Sequence, residues 1–221
     1  MSYKTCLRCH NPPRECQCEI YYYKLLLCIS VSFPIAELLV GKLLAHSNLV
    51  LLDGLHALAH GAFFYFAYRV SREVAGEFLT LFEETKRRQR YAQFQATFLF
   101  TGMALFLFFQ VFRDFTQPKE IHEAFTVLGA LIGLAGAMLS LIVLNVFKNT
   151  RETNLTYDIV EIHIHADIWT SIVPIAAAIV IWTGKRFGLA WVLYVDPLLT
   201  AAIAIWFMAK SIPFLIPRQK S

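Results

Sequence analysis

Leu52-Asp53-Gly54-Leu55-His56-Ala57-Leu58-Ala59-His60 lies inside an apolar run that extends from Leu49 to Val70. A run of that length matches the roughly 20 residues a helix needs to cross the hydrocarbon core of a bilayer. Asp53, His56 and His60 interrupt it. Charged side chains cost roughly 2.5 to 3.5 kcal/mol each at the centre of a membrane helix, so ionisable groups kept there are functional candidates by default. The stretch reads as a membrane helix whose interior face carries chemistry.

Five further apolar stretches surround it: Ile20 to Leu44, Ala92 to Phe112, Ala124 to Phe147, Ile159 to Trp182, and Leu189 to Met208. The breaks at Ala45 to Asn48, Arg113 to Glu123, Lys148 to Asp158 and Thr183 to Arg186 are short. Ser71 to Tyr91 is longer, mixes acids with bases, and continues the flanking helices into water. Hydrophobic residues make up 57% of the 221 and charged residues only 16%, against roughly 25% charged in an ordinary soluble domain. A soluble fold is excluded on that basis. The expected fold is an all-α membrane protein, a six-transmembrane-helix bundle, with residues 1–19 as a cysteine-rich tail, 20–210 as the helical domain and 211–221 as a short tail. No cleavable leader pattern is visible, and Met1 reads as the true start.

The 20 Lys and Arg residues report topology. With the N-terminus inside, only Lys42, Arg113, Lys119, Lys185 and Arg186 face outward, so the positive-inside bias puts both termini in the cytoplasm. Trp182 and Trp191 flank the last outer loop, where an interfacial belt places them. The net charge of +4 comes without a basic stripe interleaved with stacking aromatics, which argues against a nucleic-acid partner.

A second polar cluster opens the fifth stretch: Glu161-Ile162-His163-Ile164-His165-Ala166-Asp167. His56 and His60 are four residues apart, as are His163 and Asp167. A four-residue step turns a helix by roughly 400°, which leaves both side chains on one face, a turn apart. Each helix thus offers a two-ligand claw. If the claws face each other, three imidazoles and a carboxylate surround one point, and such a nitrogen and oxygen set suits Zn²⁺. The plainer role for such histidines is a hydrogen bond between helices. Asp53, three residues before His56, reads as a group that supports or widens the metal site from beside the ligands, or as a contact with interfacial water. His165 points roughly 200° away from His163 and reads as packing. Asp158 and Glu161 stand at the cytoplasmic mouth of the same stretch. Gly129, Gly133 and Ala137 form a small-residue stripe that admits a neighbouring helix. Pro34 and Pro174 are candidate kinks.

These residues together resemble the cation diffusion facilitator family of metal/proton antiporters. Ile35-Ala36-Glu37-Leu38-Leu39-Val40-Gly41 is similar to the family's first-helix segment, and Ser47 to His60 to its second-helix signature. His163 to Ser171 matches the fifth-helix His-x-x-x-Asp with a following serine, and Asp196-Pro197 the start of the sixth helix. The resemblance implies a homodimeric metal cation exporter, not an enzyme, that exchanges Zn²⁺ or another divalent transition metal for protons. It places the transport site at His56, His60, His163 and Asp167, and the protein in the plasma (inner) membrane. Two departures stand out. His60 occupies a position usually held by Asp, which leaves a Zn²⁺-loaded site at about +1 and its loading more sensitive to pH, since imidazole titrates near 6.5. Only Ala209 to Ser221 follow Met208, which reads as a short form lacking the C-terminal cytoplasmic domain. Dimer contacts then fall to the membrane helices, for which the face carrying Phe94, Phe98, Phe109 and Phe112 is a candidate; lipid contact is the plainer role.

Cys6, Cys9, Cys16 and Cys18 form Cys-x-x-Cys followed by Cys-x-Cys, beside His10. Four thiolates so close can wrap one Zn²⁺, and a reducing cytoplasm disfavours disulfides. Their spacing resembles the small knuckle of some DTW-domain tRNA-modifying enzymes, with nothing else of that class present. Cys28 reads as a small apolar residue. Two other readings of the whole chain stay open: a membrane metal sensor or partner subunit that does not transport, and a haem-binding membrane cytochrome using helix histidines as axial ligands.

Overall fold

The computed structural model describes residues 18–76, 86, 101–117, 119–148 and 155–215. Six α-helices occupy them: α1 (Cys18–Val40), α2 (Asn48–Gly76), α3 (Thr101–Thr116), α4 (Glu123–Lys148), α5 (Leu155–Arg186) and α6 (Val195–Leu215). Every apolar stretch read from the sequence contributes one helix. Ile20–Ala45, Asn48–Phe66, Glu123–Val146 and Asp167–Arg186 are each long and apolar enough to cross a membrane, by length and composition. The third stretch is described only from residue 101 on, and the apolar part of the sixth, Ala190–Trp206, is shorter. The chain is an all-α membrane protein.

Lipid tails are as apolar as leucine, so membrane helices associate through close packing and hydrogen bonds, not through exclusion of water. Helix α1 packs along α2 and α4, α4 packs along α5, and α2 reaches across to α5, which sets these four around one axis. Helices α3 and α6 pair with each other and join the four through α2. The glycines of α4 permit the tight contacts: a Cβ at Gly129 would come within 2.6 Å of the Val50 side chain, and one at Gly136 within 2.7 Å of Phe33.

The first break is tighter than its sequence suggests. Gly41–Ala45 widens into a π-helical turn, His46 reverses the chain in the left-handed region at φ 55°, and Asn48 already belongs to α2. The start of α2 is then capped from a distant helix. Asp196 at the head of α6 accepts hydrogen bonds from Ser47 Oγ at 2.5 Å, Asn48 N at 2.9 Å and Leu49 N at 3.4 Å. A carboxylate at a helix N-terminus satisfies orphan amides and meets the positive end of the dipole. Asn48 Nδ2 in turn donates to Asp114 of α3 at 2.6 Å, and Lys119 pairs with the same Asp114 at 2.8 Å. The sequence suggests a loop from Arg113 on, but Asp114 lies within α3 and is buried.

At the far end of α5, Gly188 takes φ +68°, with Leu189 N bonded to Gly184 O at 2.9 Å and Gly188 N to Lys185 O at 3.1 Å. Those two bonds close a helix end that requires a left-handed residue, which glycine adopts without steric cost. Trp182 and Trp191 are exposed on either side, with the Arg186 guanidinium 4.4 Å from the Trp182 ring centre. Phe109 and Phe112 are exposed on α3, whereas Phe94 and Phe98 lie outside the described residues.

Candidate metal centre

The four-residue step on α2 stacks His56 over His60, and the two rings meet edge to face with centroids 4.4 Å apart. Both are buried, at 3% exposure, deep in a helix that is otherwise apolar. Helix α5 brings Asp167 between them. Its Oδ1 lies 3.3 Å from His56 Nε2, and its Oδ2 lies 2.8 Å from His60 Nδ1. One ligand atom from each of the three residues falls within 4.8 Å of the others.

Those distances can be compared with a loaded site. Zn–N and Zn–O bonds near 2.0 to 2.1 Å in a tetrahedron put ligand atoms roughly 3.3 Å apart. The His56 to Asp167 separation of 3.3 Å already has that value, while the His60 to Asp167 separation of 2.8 Å is that of a hydrogen bond. Loading a metal therefore asks for a small opening of the His60 contact and loss of any proton held there. His163 occupies α5 one turn before Asp167; its side chain lies outside the described ones.

Asp53 is not part of the three-residue group and does not reach water. It is 2% exposed, and its Oδ2 accepts a hydrogen bond from Ser171 Oγ at 2.6 Å, which ties α2 to α5 one turn from the imidazoles. His165 is exposed on the outside of α5, where the sequence suggested packing. Cys6, Cys9 and Cys16 lie outside the described residues, and Cys18 opens α1, half-buried beside the cluster of Tyr22, Tyr23 and Leu26. Cys28 faces outward from α1. The side chains of Asp158 and Glu161 are likewise outside the described ones.

One residue escaped the sequence reading as a candidate. Glu37 of α1 is fully buried at 0% exposure, and among the described residues its carboxyl group meets no N–H donor and faces the carboxyl group of Asp53. The cost argument applied to Asp53 and His56 applies to it equally: it is an acid inside a 23-residue apolar helix. Gly133, which reads from sequence as a packing residue, lies against it, and a Cβ there would come within 2.7 Å of Glu37 Oε2.

A buried group of two imidazoles and a carboxylate, held by two long apolar helices, offers three donor atoms close enough together to hold a metal ion. The cation efflux transmembrane domain matches residues 24–218, nearly the whole chain. The chain belongs to the cation efflux family. Family members move divalent metal cations across membranes and are not enzymes, and the match takes in all six helices apart from the first residues of α1. No curated protein matches the chain. The cavity bordering Asp167 measures about 20 Å³, far too small for a macrocycle, and both α2 imidazoles approach the same carboxylate. That arrangement does not provide opposed axial ligands for haem.

Proposed function

We propose that the protein exports Zn²⁺ or a closely similar divalent transition metal in exchange for protons, by alternating access at His56, His60, His163 and Asp167. The observation that carries this reading is the convergence of His56, His60 and Asp167 at the buried contact of α2 and α5. The family match supplies the class of cargo; the donor set supplies the preference, since imidazole and carboxylate together suit Zn²⁺ and its neighbours. We take the working unit to be a homodimer in the plasma (inner) membrane, with both termini cytoplasmic. Residues 1–19, with Cys6, Cys9, Cys16 and Cys18, serve as a metal-binding cytoplasmic tail preceding the transport domain at 20–210.

Exporting two positive charges against an inside-negative potential costs roughly 4.6 kcal/mol per 100 mV. A passive pore would run inward, so export needs coupling. Competition between protons and metal for the imidazoles supplies it: inward-facing ligands lose protons and take the ion, and outward-facing ligands take protons and release it. The test is a transport assay in proteoliposomes across Zn²⁺, Co²⁺, Ni²⁺, Cd²⁺ and Fe²⁺, read simultaneously with a pH-sensitive dye inside. Metal uptake with opposite proton movement is expected, strongest for Zn²⁺. Metal binding without flux would instead favour a sensor or partner subunit.

His60→Asp is expected to flatten the pH dependence of uptake between about pH 6 and 7.5. An imidazole ligand must give up its proton before it takes the metal, so acidification disfavours loading, whereas a carboxylate at this position is a more acidic group that competes less with protons. Initial uptake rates over a pH series measure it, and superimposable profiles would remove His60 from the ligand set.

A further inference from the structure

We propose that Glu37, Asp53 and Asp167, with the hydroxyls of Ser30, Ser140 and Ser171, form a second cation site beside the imidazoles, one that takes a hard, oxygen-seeking divalent cation. The site rests on the transport reading only through Asp167, which the two stations share.

Four observations converge on it. A cavity of about 20 Å³ lies between α1, α2, α4 and α5, lined by Ser30, Asp53, Ser140, Asp167 and Ser171 among others. That is room for one water-sized sphere. Gly133 also lines it; Glu37 is not itself a lining residue, but its carboxylate lies against this bare glycine, with its two oxygens 2.7 and 2.8 Å from where a Cβ would stand. Among the described residues no N–H group donates to either oxygen of Glu37, and its carboxyl group instead faces that of Asp53 at hydrogen-bonding range, although both residues are almost wholly buried. The charged groups that act on Glu37 are Asp53 and Asp167, both acids.

Adjacent buried carboxylates are costly when both are ionised, because each loses its hydration and each repels the other. A divalent cation cancels both charges of Glu37 and Asp53 at once. The donors are all oxygen, the set preferred by Mg²⁺, Mn²⁺ and Ca²⁺, whereas the neighbouring station offers nitrogen. The two stations therefore differ in softness while sharing Asp167.

The experiment is a titration of the purified full-length chain with Mn²⁺, following the loss of the free-ion electron paramagnetic resonance signal. One Mn²⁺ per chain is expected. Glu37→Gln and Asp53→Asn should each weaken it at least about 10-fold, and Ser140→Ala about 3-fold, while His56→Ala should change it by less than about 3-fold. Variants are compared only when their circular dichroism and elution match wild type; if the acid variants misfold, Ser140→Ala decides. Absence of Mn²⁺ binding, or binding indifferent to Glu37→Gln and Ser140→Ala, would overturn the proposal and leave a shared proton as the neutralising partner. Loss in His56→Ala equal to that in Glu37→Gln would overturn it too, because the ion would then be seated at the imidazoles. If Mn²⁺ binds as expected while no Zn²⁺ flux is found, the second site stands and the exporter reading fails.

Discussion

Asp167→Asn is expected to bring metal flux in proteoliposomes down to the level of protein-free vesicles. The change keeps the shape of the side chain, so the helix contact of α5 with α2 survives, but it removes the negative charge that faces both imidazoles at 3.3 and 2.8 Å. A divalent ion among neutral ligands alone would leave two uncompensated charges inside hydrocarbon, where even one is expensive. Loss of an outer partner of a metal ligand already lowers affinity by about 10 to 100-fold, and loss of the charged ligand itself should exceed that. The amide also cannot accept the His60 proton in the way the carboxylate does, so proton movement should stop together with metal movement. Flux of metal and of protons measured in one vesicle population checks both halves. Residual coupled exchange above about a tenth of wild type would show that the ion passes elsewhere.

The same residues show which parts of the site can be read in one dimension. His56 with His60, and His163 with Asp167, are fixed relative to each other by helix geometry alone, since a four-residue step has one outcome on any α-helix. What brings His60 to within 2.8 Å of Asp167, a sequence separation of 107 residues, is the packing of α2 on α5. Only the cost of leaving such groups unpaired in lipid hinted at that contact. Glu37 has no ionisable partner at helical spacing within α1, so helix geometry alone gives it no counterpart, although its burial cost is equally visible in the sequence. Asp114 and Asp196 were obscured for a different reason. Both lie at helix ends, where a polar residue in the sequence is ordinarily explained by water, and their partners Asn48 and Ser47 sit in what reads as a four-residue loop. The stripe of Gly129 and Gly133 was legible as close packing; that Gly133 faces a carboxylate depends on how α1 is rotated about its axis, which its nearly uniform apolar sequence does not specify.

Asp196→Ala is expected to be the most destabilising single change outside the metal centre. The side chain accepts three hydrogen bonds, two of them from the first amides of α2, and its removal leaves those two amides and the Ser47 hydroxyl proton buried without that acceptor, while Ser47 Oγ keeps its contact from Val50 N at 3.4 Å. Hydrogen bonds to charged groups contribute roughly 1.5 to 3 kcal/mol each in water-soluble proteins, while polar contacts between membrane helices average about 0.6. A combined loss of about 3 kcal/mol is the reasonable middle, which corresponds to a melting temperature lower by about 6 to 12 °C for a domain of this size. Ser47→Ala removes one bond of the three and should cost about 1 kcal/mol. In the Asp196→Ala background the second change should add less than it costs alone, because the bond to Asp196 is already gone and only the long contact from Val50 N is left to lose. Melting curves of the two single variants and the double in one detergent test this directly. Fully additive shifts would mean that Ser47 and Asp196 act independently. The non-additive outcome would establish that α6 holds the head of α2 in place, and with it the register of His56 and His60, two and three turns further along the same helix.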